Sequence, residues 1–489
     1  MSILIVGAGP AGLEAASAIL KSHQSSPDPA NQPPLPSITI IERGSSAGSN
    51  ILSHWPNVSL FSPWRLNVSS SSLSLLPPAV AQKINSQPSA CPTGAEYCDL
   101  YISPLSQILS SHPSVTISYN TTLVSLSRSQ ALKKSMLGRA DSNFVALVET
   151  TTTAPRSVEN SNSDSNSNSD SGVGGGAGVG GGFGAGAGVV VTVSESILQD
   201  FTHVIDCSGA HHPTPTFFGR GGIPAVGERS LVGDAHHLCN DIADDLTDDY
   251  FDEDTKDNCY AVFGSGYSAA TTVRNLLGRK NTLRVYWLMR RVPTEDSPLY
   301  PVIENDILPS RADLCSSSNE LCFGFGEEED ERCKVLANAC CSKVTRVGGA
   351  DAEFITLTLE ELIPELEQEG FVPDEIRVHK IYNNVGLKPD QSTTEELQVH
   401  YCYASQGPMK LAASLGAGGG DCLAQVSAGI DVLKSPEPNF FILGIKSYGR
   451  NSAYLLKLGF DQAKEVAAFI TGVEVTMEET MVSNNWIDS

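Results

Sequence analysis

Two glycine-rich hexads in this sequence could do chemistry: Gly7-Ala8-Gly9-Pro10-Ala11-Gly12 and Gly264-Ser265-Gly266-Tyr267-Ser268-Ala269. The first is a G-x-G-x-x-G and the second its alanine-ending variant. Set between a strand and a helix, such a turn cradles a pyrophosphate. The first glycine permits the tight turn, the second lets phosphate approach the backbone, and the third position lets helix and strand pack closely. Unpaired N–H groups and the positive end of the helix dipole then face the anion. Pro10 suits a first helical turn, where its missing N–H costs nothing. A charged pair follows each hexad. Glu42 stands 30 residues after Gly12, with Arg43 beside it; Arg290 stands 21 residues after Ala269, with Arg291 beside it. A carboxylate at that place accepts hydrogen bonds from a ribose and repels a 2′-phosphate, so the first turn is expected to hold FAD or NAD. A guanidinium binds a 2′-phosphate bidentately, so the second is expected to prefer NADPH.

These turns need strands before them and helices after. Residues 3–6 are an apolar run of strand type, and Leu13, Ala16, Ile19 and Leu20 then share a helical face. Residues 37–41 read as the second strand, and the loop at roughly 23–36 lengthens the spacing to Glu42. The second hexad repeats the pattern: 260–263 is apolar, and 283–289 is the strand that ends at Arg290. Residues 201–207 form a buried-type strand that leads into Gly209, and 439–443 form a late strand that leads into Gly444. A closing helix over 452–470 would aim its N-terminus beyond Gly444.

In open parallel sheets, ligands lie outside the carboxyl ends of the strands. The aromatic segment 53–68 falls at such an end and is expected to wall a cofactor ring, with Trp64 and Arg65 as candidates. Lys446, Tyr448 and Arg450 are the candidates that follow Gly444. A cation there would stabilise negative charge on a reduced ring. A helix is expected over 93–110. Residues 115–119, 122–127, 144–149 and 189–194 read as a small antiparallel piece, and 354–359 and 376–381 as further strands. Residues 310–345 carry little signal.

The expected fold class is α/β, with two Rossmann-like dinucleotide-binding domains, the second inserted in the first. The FAD-binding domain takes 1–154, 189–230 and 373–489. The NADPH-binding domain takes 258–372. Between them lie a low-complexity insert at 155–188, too poor in apolar residues to order itself, and an acidic linker at 231–257.

The net charge of −24 argues against nucleic-acid or anionic-membrane surfaces. No apolar run reaches membrane-spanning length, and the chain starts directly in a strand, so a cytoplasmic protein is expected. The 12 cysteines form no dense framework and no C-x-x-C, so reduced thiols are expected. His236, His237, Cys239 and Asp241 match no standard zinc spacing, and no metal is expected.

GAGPAG with Glu42, HVIDCSG, GSGYSA with WLMRR, VGLKPD and the late FFILGIKSYGRNSAYLLKLGFDQA together resemble the two-dinucleotide flavoproteins. That superfamily contains flavin-containing monooxygenases and thioredoxin-reductase-like enzymes. The resemblance implies FAD at the first turn, NADPH at the second, and an unnamed small-molecule substrate. It implies transfer of electrons to oxygen with an organic substrate, or to a small acceptor. A dehydrogenase or reductase without oxygenation is an alternative, as is a non-catalytic dinucleotide-binding scaffold. The missing C-x-x-C removes the dithiol of a thioredoxin reductase. Gly444-Ile445 replaces the Gly-Asp of the reductases, and LVGDAHH only partly resembles the F-x-G-x-x-x-H of the monooxygenases.

Overall fold

The computed structural model describes residues 1–24, 34–155, 189–243, 258–304, 306–323, 330–347, 354–364, 372–417 and 429–473. Of the expected insert at 155–188, residues 156–188 lie outside them, as do 244–257, most of the acidic linker.

Two five-stranded parallel sheets organise the rest. In the first, Ser2–Val6 is central. Ser37–Ile41 and then Val115–Ser118 lie on one side, with His203–Asp206 and then Phe440–Ile442 on the other. In the second, Asn258–Phe263 is central. It is flanked by Thr282–Leu288 and then Cys333–Leu336, and by Lys380–Asn383 and then Leu238–Cys239. Every pairing in both sheets is parallel.

The central strands are apolar on both faces because both faces are covered. Alternate residues go to different cores. Ile3 and Ile5 pack with the helices Pro10–Gln24 and Leu456–Thr471, while Leu4 and Val6 pack with an antiparallel sheet. That sheet is built from Thr121–Arg128, Phe144–Pro155 and Val189–Phe201. The second unit repeats the plan. Tyr260 and Val262 face the helices Tyr267–Gly278 and Pro309–Phe323. Ala261 and Phe263 face a second antiparallel sheet, Ala339–Val347, Phe354–Glu361 and Glu375–Val378.

Several expectations are corrected. Residues 115–118 belong to the first parallel sheet, not to the antiparallel piece. There are two antiparallel sheets rather than one. The run 376–381 is two strands. Glu375–Val378 pairs in the antiparallel sheet, and beyond His379 the chain crosses into the parallel one as Lys380–Asn383. The second unit therefore extends past 372 to include Lys380–Asn383, and it recruits Leu238–Cys239 from the expected linker. Over 94–111 the chain is helical, interrupted by a π-turn at Cys98–Ile102. The closing helix begins at Leu456, after a separate short helix, Ile445–Tyr448. No helix among the described residues is long and apolar enough to cross a membrane.

One buried polar knot holds the first helix. Glu14 is 2% exposed. Its carboxyl group accepts from Tyr101 Oη, from Ser69 Oγ at 2.8 Å and from Ser72 Oγ at 3.0 Å. Burial outweighs these hydrogen bonds and raises the Glu14 pKa above the ordinary carboxylate value. A carboxyl group whose pKa is raised on folding keeps its proton longer in the native state. Its contribution to stability is therefore present at low pH and is lost as pH rises through the folded value. Glu14→Gln is expected to abolish that loss, so the gap in melting temperature between pH 5 and pH 8 narrows. Glu14→Ala leaves three buried hydroxyls without their partner and should cost about 3 kcal/mol in denaturant titrations. Equal pH slopes in the parent and Glu14→Gln would refute the assignment.

Candidate functional site

Each hexad forms the turn its spacing predicts. Gly7 has φ +98°, and a Cβ there would stand 2.7 Å from the Cys207 carbonyl oxygen. A Cβ on Gly12 would meet the Gly7 carbonyl oxygen at 2.0 Å, so helix and strand pack as closely as the third glycine allows. Gly9 is different: nothing lies within 4 Å of a Cβ placed there. In the second turn Gly264 has φ +126° and would clash with the Asn384 carbonyl oxygen at 2.3 Å, while Gly266 is open. Both turns thus have a first glycine jammed against a neighbouring strand and a second glycine free to receive a ligand.

A cleft of about 560 Å³ joins the two units. Gly7, Gly9, Pro10 and Ala11 line it from the first turn, and Glu42 and Arg43 from the end of Ser37–Ile41. Gly209, Gly444 and Lys446 line it from later segments, and Ser268 and Thr271 from the helix of the second turn. The Glu42 carboxylate accepts from the Ala8 and Gly44 N–H groups, each at 2.8 Å, which fixes it beside the first turn. Gly444, at φ +70°, starts a short helix where a Cβ would press on Ala11 at 2.8 Å. That helix delivers Lys446, which is 2% exposed. Its ammonium group donates to Asp206 Oδ2 at 2.7 Å and to Ser208 Oγ at 2.8 Å.

Other expected site residues lie elsewhere. Trp64 is corrected: it is 1% exposed, packs beside Tyr97 and does not line the cleft. Its hydrophobic area is worth more in the core than at a wetted wall. Arg65 is also corrected, being exposed and reaching only Ser89. The cleft wall of that segment is built by Trp55 and by residues 58–62. Tyr448 is buried against Tyr454, and exposed Arg450 donates to Gln406 at 3.0 Å. Gly12, Gly264, Gly266, Tyr267 and Ala269 do not line the cleft. Tyr267 stacks on Tyr300, with Phe61 at its edge. Arg290 and Arg291 are exposed just past their strand. Arg290 donates to the Gly219 carbonyl at 3.0 Å, while Arg291 is fastened to Ser297, Pro298 and Leu299.

The sequence reading missed Asn50, His211, Asp241, Asn383, Asn384 and Thr393, all of which line the cleft. The available signal was position, since His211, Asn383 and Asn384 stand at or just beyond carboxyl ends of parallel strands. Asn383 Oδ1, Asn384 Oδ1 and Thr393 Oγ1 are buried and have no hydrogen-bond partner among the described residues. His237 pairs with Asp234 at 2.8 Å and Asp241 with His54 at 2.8 Å, so the histidine-rich run 236–241 is divided between different partners.

The residues present fit two dinucleotides. Two helix N-termini open beside glycines with vacant Cβ positions; Glu42 is bonded to the first turn, and exposed Arg290 follows the strand that pairs with the one entering the second.

No protein-family model matches the chain, and no curated protein matches it in sequence. Solved structures do match. The bacillithiol disulfide reductase Bdr from Bacillus cereus superposes with a TM-score of 0.51 at 15% identity, covering 97% of this chain and 99% of that one. The Staphylococcus aureus Bdr gives 0.50 at 13% identity, with coverages of 97% and 99%. Over nearly its whole length, the chain has the fold of these two bacillithiol disulfide reductase structures.

Proposed function

We propose that this chain is an FAD-dependent oxidoreductase that takes a hydride from NADPH and passes the electrons to a small acceptor: an organic molecule alone, or oxygen together with an organic substrate. One observation carries the reading. The helices that follow both glycine turns reach the same cleft, through Pro10 and Ala11 on one side and Ser268 and Thr271 on the other. In this reading Gly7, Gly9, Pro10, Ala11, Gly12, Glu42, Arg43, Gly209 and Gly444 hold FAD. Gly264, Gly266, Tyr267, Ser268, Ala269, Arg290 and Arg291 hold NADPH, with Arg290 the group that recognises a 2′-phosphate.

A bound flavin supplies the two-electron relay that no side chain provides. The chain's own residues do the rest. Glu42, anchored on two backbone N–H groups, receives ribose hydroxyls. Lys446 puts an ammonium in the cleft wall, and Asp206 and Ser208 hold it in place before any ligand arrives. A charge fixed beforehand in a water-poor site costs no reorganisation when negative charge develops beside it. The names of the two Bdr structures favour the second reading, a reductase without oxygenation, while the missing C-x-x-C separates this chain from dithiol relays.

The purified protein is expected to be yellow and to bleach with NADPH under anaerobic conditions. A preparation that takes up no FAD, or flavin that stays oxidised in excess NADPH, ends the proposal. Product mass under isotopically labelled oxygen separates the two acceptor classes. Gly9→Ala should fold, because its Cβ meets open space, yet lose FAD affinity by about tenfold or more. Gly7→Ala should instead lower the melting temperature by several degrees, since its Cβ overlaps a carbonyl. A Gly9→Ala protein with parental FAD affinity would remove the cradle. Arg290→Ala should weaken NADPH by about tenfold and leave NADH nearly unchanged; equal losses for the two would dismiss the 2′-phosphate role.

A further inference from the structure

One group of cleft side chains has no part in holding either dinucleotide as assigned above. His211 lines the cleft two positions beyond Gly209. Its ring stacks on that of His54, with centroids 4.8 Å apart and planes 13° from parallel. His54 Nδ1 lies 2.8 Å from Asp241 Oδ1, and Asn50 Nδ2 lies 3.2 Å from His211 Nδ1. Three separate stretches meet here: the helix Ser49–His54, the loop after His203–Asp206, and the loop after Leu238–Cys239.

Hydrogen-bond roles fix where the protons sit. An amide Nδ2 has only protons to give, so His211 Nδ1 must accept. A neutral His211 then carries its proton on Nε2. The Asp241 carboxylate can only accept, so His54 presents Nδ1–H to it. Two stacked imidazoles resist being charged together. Burial, and then the neighbouring His54, lower the His211 pKa to about 4; Arg43 acts in the same sense and Asp241 opposes. The Lys388 backbone is bridged to His211, and the Asn50 amide completes its surroundings. Across the neutral range His211 is an uncharged ring with one defined donor.

We propose that His211 contacts the ligand of this cleft as a hydrogen-bond donor, locked in its Nε2–H tautomer by Asn50 and stacked on the His54–Asp241 pair. The chemistry it recognises is an sp² acceptor, a carbonyl oxygen or an unprotonated ring nitrogen. Such an acceptor can belong to the bound flavin or to a carbonyl-bearing electron acceptor. His54 and Asp241 are positioning residues, since they act through His211. The inference rests on the oxidoreductase reading for the identity of its ligand, but not for the state of the ring.

The test has two arms on the full chain. In the first, ¹³C-labelled histidine reports protonation by NMR, with no cofactor needed. The His211 signal should not titrate between about pH 5.5 and 8. In His54→Gln its midpoint should move upward, because the neighbouring imidazole that lowers it is gone. A His211 midpoint near 6.5 in the parent, the ordinary imidazole value, overturns the proposal.

In the second arm, His211→Ala and His211→Gln are compared in FAD titrations and in NADPH-driven reduction of 1,4-benzoquinone and of ferricyanide, which has no carbonyl. A rise of about fivefold or more in FAD Kd assigns the donor to the flavin. A similar rise in benzoquinone KM, with FAD Kd and the ferricyanide rate unchanged, assigns it to the acceptor. In either case Gln, which keeps an N–H donor, should recover part of the loss. Parental values for both constants in His211→Ala overturn the proposal. A parent that binds no flavin sinks the oxidoreductase reading and this ligand with it, whereas a titrating His211 sinks this inference alone.

Discussion

In both units a peptide carbonyl occupies the place where a side chain of the neighbouring strand would otherwise be. The Cys207 carbonyl presses on Gly7, and the Asn384 carbonyl presses on Gly264. Only a residue without a Cβ, at positive φ, permits that approach. Its consequence is geometric. The strands His203–Asp206 and Lys380–Asn383 can lie against the central strands right up to their carboxyl ends. The segments that follow, Cys207-Ser208-Gly209 and Asn384-Val385-Gly386, are then delivered to the crevice. In each, the residue two places on is a glycine at positive φ, Gly209 at +84° and Gly386 at +101°, which turns the chain along the cleft wall. The second unit thus repeats the first down to the atom pair that sets its turn, and residues of both units line one cleft.

Charge in the cleft is mixed in sign. The chain carries a net charge of −24. Arg43, Lys446 and the N-terminus of Pro10–Gln24 stand near the first turn, and Glu42, Asp241 and Asp390 line the same cleft. Nearby charges prevail at short range because distant ones are screened. The Lys446–Asp206 pair is neutral as a unit and almost wholly buried. Taking two ions out of water is costly, and such a pair is weak evidence of a device for stability. Its place between the strand end at Asp206 and the helix begun at Gly444 makes it a positioning element, with Ser208 bonded to both partners.

Much of this architecture is legible in the residues, for local reasons. Apolar runs that end in a glycine turn or a charged pair give the strands Ser37–Ile41 and Thr282–Leu288 nearly to the residue. What escapes is set by tertiary context. The helix Pro309–Phe323 buries Arg311, Ser318 and Asn319, whose polarity hides its inner face. Two of them are tolerated because they have dedicated partners: Asp306 chelates Arg311, and Asn319 bonds the Tyr300 backbone in both directions. Leu238–Cys239 is too short to show a period. The split at His379 is a change of partner sheet, which a continuous β-type run does not reveal. Trp64 and Trp55 look alike in sequence, yet one fills the core and the other lines the cleft. His54, His211 and Asp241 are far apart along the chain and are joined only by the fold.

The same geometry bears on how electrons could leave the site. Cys207 is the one cysteine among the described residues that lines the cleft. Its thiol is held far above the ordinary range, first by burial and then by the adjacent Asp206 carboxylate, with Lys446 only partly offsetting them. Thiol–disulfide exchange needs an accessible thiolate, and a thiol shifted upward presents almost none at neutral pH. Its backbone carbonyl is also the atom packed against Gly7, so the residue cannot move outward without opening the first turn. Cys207 is therefore a structural thiol. A relay through it would have to break the contact that shapes the first turn, so in the proposed oxidoreductase an acceptor that enters the cleft meets the electron source directly, not through this cysteine.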